Sequence, residues 1–145
     1  MMRVRHRIGA AVAAAVAATA LAACGGSSGD EGGGEPATVQ PIKGTDRNAV
    51  TLTAQAAKRL GIQTAIVRRL GPQTTVPYGA VVYNADGSTF AYTSPRARVY
   101  VRAPITVARI AGGEAVLSKG PAVGTVVVTV GSQELYGSEY EVEED

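Results

Sequence analysis

The chain has almost none of the side chains on which most protein chemistry depends. Its 145 residues include one Cys, one His, two Met and no Trp. Met1, Met2 and His6 all fall within the first six positions, so the remainder holds neither imidazole nor thioether and a single thiol, Cys24. A transition-metal site needs Cys, His or Met at a defined spacing, so no metal is expected. Hard-cation loops need several carboxylates at short alternating spacing, whereas Asp86-Gly87 alone is a turn signal. No serine has a histidine base, and Ser118 and Lys119 are adjacent, so in a strand they point to opposite faces. No Gly-x-Gly-x-x-Gly opens a helix after a strand, and no P-loop pattern occurs. A protein with no catalytic residues and no cofactor is expected.

Aromatic residues are also scarce. Six Tyr and one Phe make up 5% of the chain, which leaves little to line a ligand pocket. Charge is nearly balanced. The formal +2 of the whole chain becomes about −1 once Arg3, Arg5 and Arg7 are set aside with the N-terminal segment. Nucleic acid therefore has no electrostatic support as a partner. Five of the last seven residues are acidic (Glu139, Glu141, Glu143, Glu144 and Asp145), and residues 138–145 read as a solvated acidic tail.

What is present begins with an address. After the three arginines, Ile8 to Ala23 carries no charge. Sixteen apolar residues at 1.5 Å each span roughly 24 Å, short of a hydrocarbon core of about 30 Å. A basic start, a short apolar run and small residues at its end describe a secretory signal over residues 1–23. The run closes with Leu21-Ala22-Ala23-Cys24, which resembles the lipobox of bacterial lipoproteins. In those proteins the residues before the cysteine are read by the signal peptidase, and the thiol receives diacylglycerol. The resemblance implies cleavage before Cys24, acylation of its sulfur and attachment to the outer face of the cell membrane. An ordinary signal peptide or a short anchor helix are the alternatives. The lone cysteine of an exported chain cannot form an internal disulfide, and acylation accounts for it.

Residues 24–49 read as a disordered tether. Six of the ten residues from Gly25 to Gly34 are glycine, and Glu35 to Ala49 continues without an apolar period. Such a coil of about 25 residues reaches on the order of 25–30 Å. The remaining segment, 50–137, is long enough to fold alone, though marginally.

Within it the apolar period is mostly two. Val50-Thr51-Leu52 is a short strand. Thr53 suits the N-cap of a two-turn helix whose apolar face is Ala56, Ala57 and Leu60, with Gly61 at C′. Ile62 to Arg69 alternates, and Val76 to Tyr83 and Ser88 to Thr93 flank a hairpin turn at Asn84-Ala85-Asp86-Gly87. Arg98 to Ala103 alternates Val99 and Val101 against Arg98, Tyr100 and Arg102. Ile105 to Ile110 and Glu114 to Ser118 flank a second hairpin at Ala111-Gly112-Gly113, and Thr125 to Val130 closes the series. The pattern predicts a mainly β domain: a small roll or barrel of about seven short strands with one short helix. Arg98, Tyr100 and Arg102 are the expected docking face, and Arg68-Arg69 a further basic pair.

The second half resembles a known family. Val76-Pro77-Tyr78-Gly79-Ala80-Val81, then Asp86-Gly87 and Phe90-Ala91-Tyr92, is similar to the segment that opens the membrane-proximal domain of periplasmic adaptor subunits. These are the membrane fusion proteins of efflux and export transporters. The similarity continues through Val101-Arg102-Ala103-Pro104-Ile105-Thr106-Val107, Glu114 to Gly120 and Gly124 to Gly131, and ends at Glu134 to Gly137. Leu52 to Ala57 with Leu60 to Thr64 resembles the N-terminal segment of the same adaptors. A full adaptor inserts a lipoyl-like domain, a helical hairpin and a β-barrel between these parts, whereas only Leu70 to Thr75 separates them here. The resemblance implies a membrane-proximal β-roll alone, on its own lipid tether, with a membrane transporter as partner. A free-standing lipoprotein that binds a small ligand or an envelope polymer is the alternative.

Overall fold

The computed structural model describes residues 34–141. The signal segment at 1–23, with Leu21, Ala22 and Ala23, the acylation candidate Cys24 and residues 142–145 lie outside the described residues.

The domain is mainly β, as its alternation predicts. Its strands are β1 (Ala37–Pro41), β2 (Asn48–Leu52), β3 (Gln63–Ile66), β4 (Arg68–Leu70), β5 (Gln73–Pro77), β6 (Val82–Tyr83), β7 (Thr89–Arg96), β8 (Val99–Ala111), β9 (Glu114–Lys119) and β10 (Val126–Val130). Two helices accompany them, α1 (Ala54–Arg59) and α2 (Ser132–Glu141), and a 3-10 turn covers Tyr78–Ala80. Seven strands follow one antiparallel path, β3-β10-β7-β8-β9-β5-β4. The two ends of that path, β3 and β4, are successive pieces of chain joined by the buried Val67. Val67 continues the ladder by donating its N–H to Thr125 O and accepting from Gly124 N, both at 2.9 Å. The sheet therefore curls into a half-barrel.

Strand alternation divides the core in two. Inside the curl lie Val67, Val76, Ala91, Ile105, Ala115, Leu117 and Val127, closed at one end by Ala80 and Val81. The opposite face of β7, β8 and β10 presents Phe90, Tyr92, Tyr100 and Val128, and β2 extends it with Val50 and Leu52. On this face pack Ala56 of α1 and Leu135 of α2. The middle strands are thus apolar on both sides. Phe90 and Tyr92 go one way and Ala91 the other, as do Val128 and Val127.

The local signals that the sequence carries are met. Thr53 Oγ1 accepts from Ala56 N at 3.1 Å, and Gly61 follows α1 with φ 62°. At the first hairpin Asp86 Oδ1 accepts from Ser88 N at 2.8 Å and Asn84 N donates to Ser88 O. Three expectations are corrected. First, the tether does not extend to Ala49: Ala37–Pro41 pairs with β2 along its whole length, and Ala37 is buried. A short edge strand bounded by Pro36 and Pro41 hides its period, because proline is tolerated at such positions. Second, Arg98 to Ala103 and Ile105 to Ile110 are not separate strands but one, β8, running through Pro104. The proline fits because β2 pairs with Val99 to Val101 and β9 with Thr106 to Ala111, which leaves the positions between them without a second neighbour.

Third, the acidic tail does not start at residue 138. Gly131, at φ 89°, turns the chain from β10 into α2, and the helix continues to Glu141. Ten residues are too few for a stable isolated helix in water, so packing must hold it. Leu135, with no exposed surface, and Glu139, 3% exposed, do so.

Candidate functional site

β7 and β8 set Tyr92 directly opposite Arg102 in the ladder, and both side chains rise toward α2. There they share one oxygen. Arg102 Nε donates to Glu139 Oε2 at 2.7 Å, and Tyr92 Oη donates to the same atom at 2.7 Å. Around the guanidinium stand three rings, with Cζ 5.1 Å from the centroid of Phe90, 4.9 Å from Tyr136 and 5.0 Å from Tyr140. Each is within cation–π range. The rings also touch one another: Phe90 meets Tyr92 edge-on at 5.4 Å, and Tyr136 meets Tyr140 at 4.9 Å. Tyr136 and Tyr140 are four residues apart and so share a helix face.

The environment pushes Tyr92 and Arg102 away from proton exchange. Burial, then the Glu139 hydrogen bond and charge, holds the Tyr92 hydroxyl well above the ordinary tyrosine range. Burial works against the charge of Arg102, but hydrogen bonds to Tyr140 and Glu139 outweigh it and raise the guanidinium further. The Tyr140 hydroxyl shifts downward, chiefly through its bond with Arg102. A general acid or base works best near the ambient pH, and Tyr92 and Arg102 lie far above it. Their arrangement holds a helix on a sheet.

This placement changes the expected docking face. Tyr100 is 4% exposed and packs in the core with Phe90 and Tyr92. Arg102 is half-buried and engaged as described. Arg98 is exposed in the β7–β8 turn with φ 61°. The three residues do not form a shared outer surface. Strand alternation correctly put Tyr100 and Arg102 on one side, but α2 covers that side. Arg68 and Arg109, by contrast, stand in one row across β4, β5, β9 and β8, with Thr75 and Val116 between them. This row faces away from Ala115 and Leu117; its ends Arg68 and Arg109 are exposed, while Thr75 and Val116 between them are buried.

Beside Arg102 opens a cleft of about 310 Å³. The β1–β2 loop contributes Asp46 and Arg47, the β6–β7 turn Asn84 and Ser88, and the strands Thr89, Phe90, Arg102 and Pro104. Arg47 was not singled out by its sequence context, since one arginine in a polar loop gives no periodic signal. Glu139 and the paired tyrosines did leave one: Leu135/Glu139 and Tyr136/Tyr140 are both at helical i,i+4 spacing. Among the described residues no group of His, Cys, Asp and Glu is placed to hold a metal ion.

Comparison with family models, curated proteins and solved structures finds no match for this chain.

Proposed function

We propose that this is a non-enzymatic, lipid-anchored accessory subunit of an export transporter, held on the extracytoplasmic face of the cell membrane. The observation that carries the proposal is Leu21-Ala22-Ala23-Cys24, with the chain's one cysteine at the acyl-accepting position. An anchored β-module has a high effective concentration beside any membrane partner, so even a weak contact suffices. The curled β domain is of the class the adaptor resemblance implies, and its Arg102–Tyr92–Glu139 cluster is spent on internal packing rather than proton transfer. With Tyr100 buried and Arg102 paired with Glu139, docking on the transporter falls to the exposed Arg68 and Arg109, together with the exposed Leu70 two residues from Arg68.

A photo-crosslinking residue at position 68 or 109 in intact cells tests this, with position 134 on α2 as the comparison. The proposal expects an integral membrane transport protein from the first two sites and not from the third. Recovery of no membrane protein from any of them, or mature protein free of lipid in the culture fluid, would overturn it. The alternative, a free-standing binding lipoprotein, is favoured by one observation only, the cleft at Arg47.

A further inference from the structure

The cleft beside Arg102 holds a charge that the fold does not use. Arg47 makes two long hydrogen bonds. Its backbone N–H donates to Thr45 Oγ1 at 3.3 Å, and its Nη1 donates to the carbonyl of Arg102 at 3.4 Å. Yet Arg102–Glu139 is the one ion pair among the described residues, so Arg47 lines the cleft without a carboxylate partner. A guanidinium with one arm on a carbonyl and its other donors unpaired is suited to a carboxylate.

The walls narrow the choice. The exposed Pro104 gives the cleft its apolar part, with an edge of Phe90, 3% exposed, whose ring is braced by Arg102 at 5.1 Å and Tyr136 at 5.6 Å. Across from Arg47 the turn is locked: Asn84 Nδ2 donates to Ser88 Oγ at 2.8 Å, and Ser88 Oγ donates to Asp86 Oδ1 at 2.6 Å. The volume lies at the small end of ligand pockets. Arg102 is already neutralised by Glu139, and Asp46 adds a negative charge to the lining, so the site favours a single negative charge over a double one.

We infer that this cleft binds a small organic monocarboxylate, its head on Arg47 and its apolar body against Pro104 and the edge of Phe90. The inference does not depend on the transporter role, and the site would serve a free-standing protein equally well.

Side-chain NMR of the purified full-length protein, titrated separately with benzoate, inorganic phosphate and benzylamine, tests it. Benzoate should shift the Arg47 Nε–H and Phe90 ring signals saturably. Arg47→Gln should weaken benzoate about tenfold, the scale of one charge-assisted hydrogen bond. Asp46→Asn should tighten it, and Arg68→Gln on the outer face should leave it unchanged. If Arg47→Gln unfolds, the opposite-signed effect of Asp46→Asn still decides. No saturable shift by about 10 mM, corresponding to an affinity too weak to matter, would overturn the inference. So would equal losses in Arg47→Gln and Arg68→Gln, tighter binding of phosphate, or binding of benzylamine in place of benzoate.

Discussion

Arg102 and Glu139 are thirty-seven residues apart in the chain, and their side chains meet at 2.7 Å, the carboxylate 4% exposed and the guanidinium side chain 21%. This contact joins the centre of the sheet to the last described helix. Without it a short polar helix would be held by Leu135, two tyrosines and the Tyr92 hydrogen bond to Glu139. Replacing Arg102 by Met should therefore destabilise the protein on the order of 3 kcal/mol, because it leaves a buried carboxylate without its counter-charge. The double change Arg102→Met with Glu139→Leu should recover most of that loss. Urea unfolding of the unchanged protein, Arg102→Met, Glu139→Leu and the double variant gives the coupling directly. Additive single effects would show that the two side chains act independently.

Tyr92 makes stability depend on pH at the alkaline end. The folded protein keeps the phenolic proton above the ordinary tyrosine range, while the unfolded chain releases it near pH 10. Above that point the unfolded state binds fewer protons, so stability falls as pH rises from about 10 upward. Tyr92→Phe should flatten this decline. Melting temperatures of both proteins across that range will show it, and parallel curves would refute it.

Two glycines should respond with opposite signs to alanine. A Cβ at Gly79 would stand 2.7 Å from the backbone oxygen of Thr129, so the 3-10 turn or β10 must move. An overpacking cost of about 2 kcal/mol is expected. Gly137 lies inside α2 with nothing within 4 Å of such a Cβ. Gly137→Ala should stabilise by roughly 0.5–1 kcal/mol through helix propensity. Thermal melts of the two variants distinguish the signs.

The strand found at Ala37–Pro41 can be tested by truncation. A chain starting at Ile42 loses the ladder along β2 and the cover that Ala37 and Val39 give to Val50 and Leu52. It should be less stable than a chain starting at Gly34 by on the order of 2 kcal/mol, given the apolar area uncovered. Equal denaturation midpoints would return this segment to the tether.

How legible the fold was depended on how local each signal is. Thr53 at a helix start and Asp86-Gly87 in a hairpin declare themselves within four residues, because the hydrogen bonds they make are that short in sequence. β10 is harder, since Val126 to Val130 is apolar at four of its five positions and shows no contrast between faces. The structure gives the reason: Val127 and Val128 face different cores. α2 was obscured by its own acids. Glu139 and Glu141 read as part of a solvated run until Glu139 is seen to have two donors on one oxygen.

The sequence by itself determined the strand-rich class, the two hairpin turns, the capped helix and the absence of histidine from everything beyond residue 6, because composition and near-neighbour chemistry suffice for these. Only the tertiary structure decided which face of β8 is covered, that Ala37–Pro41 pairs with β2, and that Arg47 shares a cleft with Phe90. Those outcomes depend on groups as far as 55 residues apart in the chain. Burial and charge compensation between such groups leave no mark on the period of either segment alone.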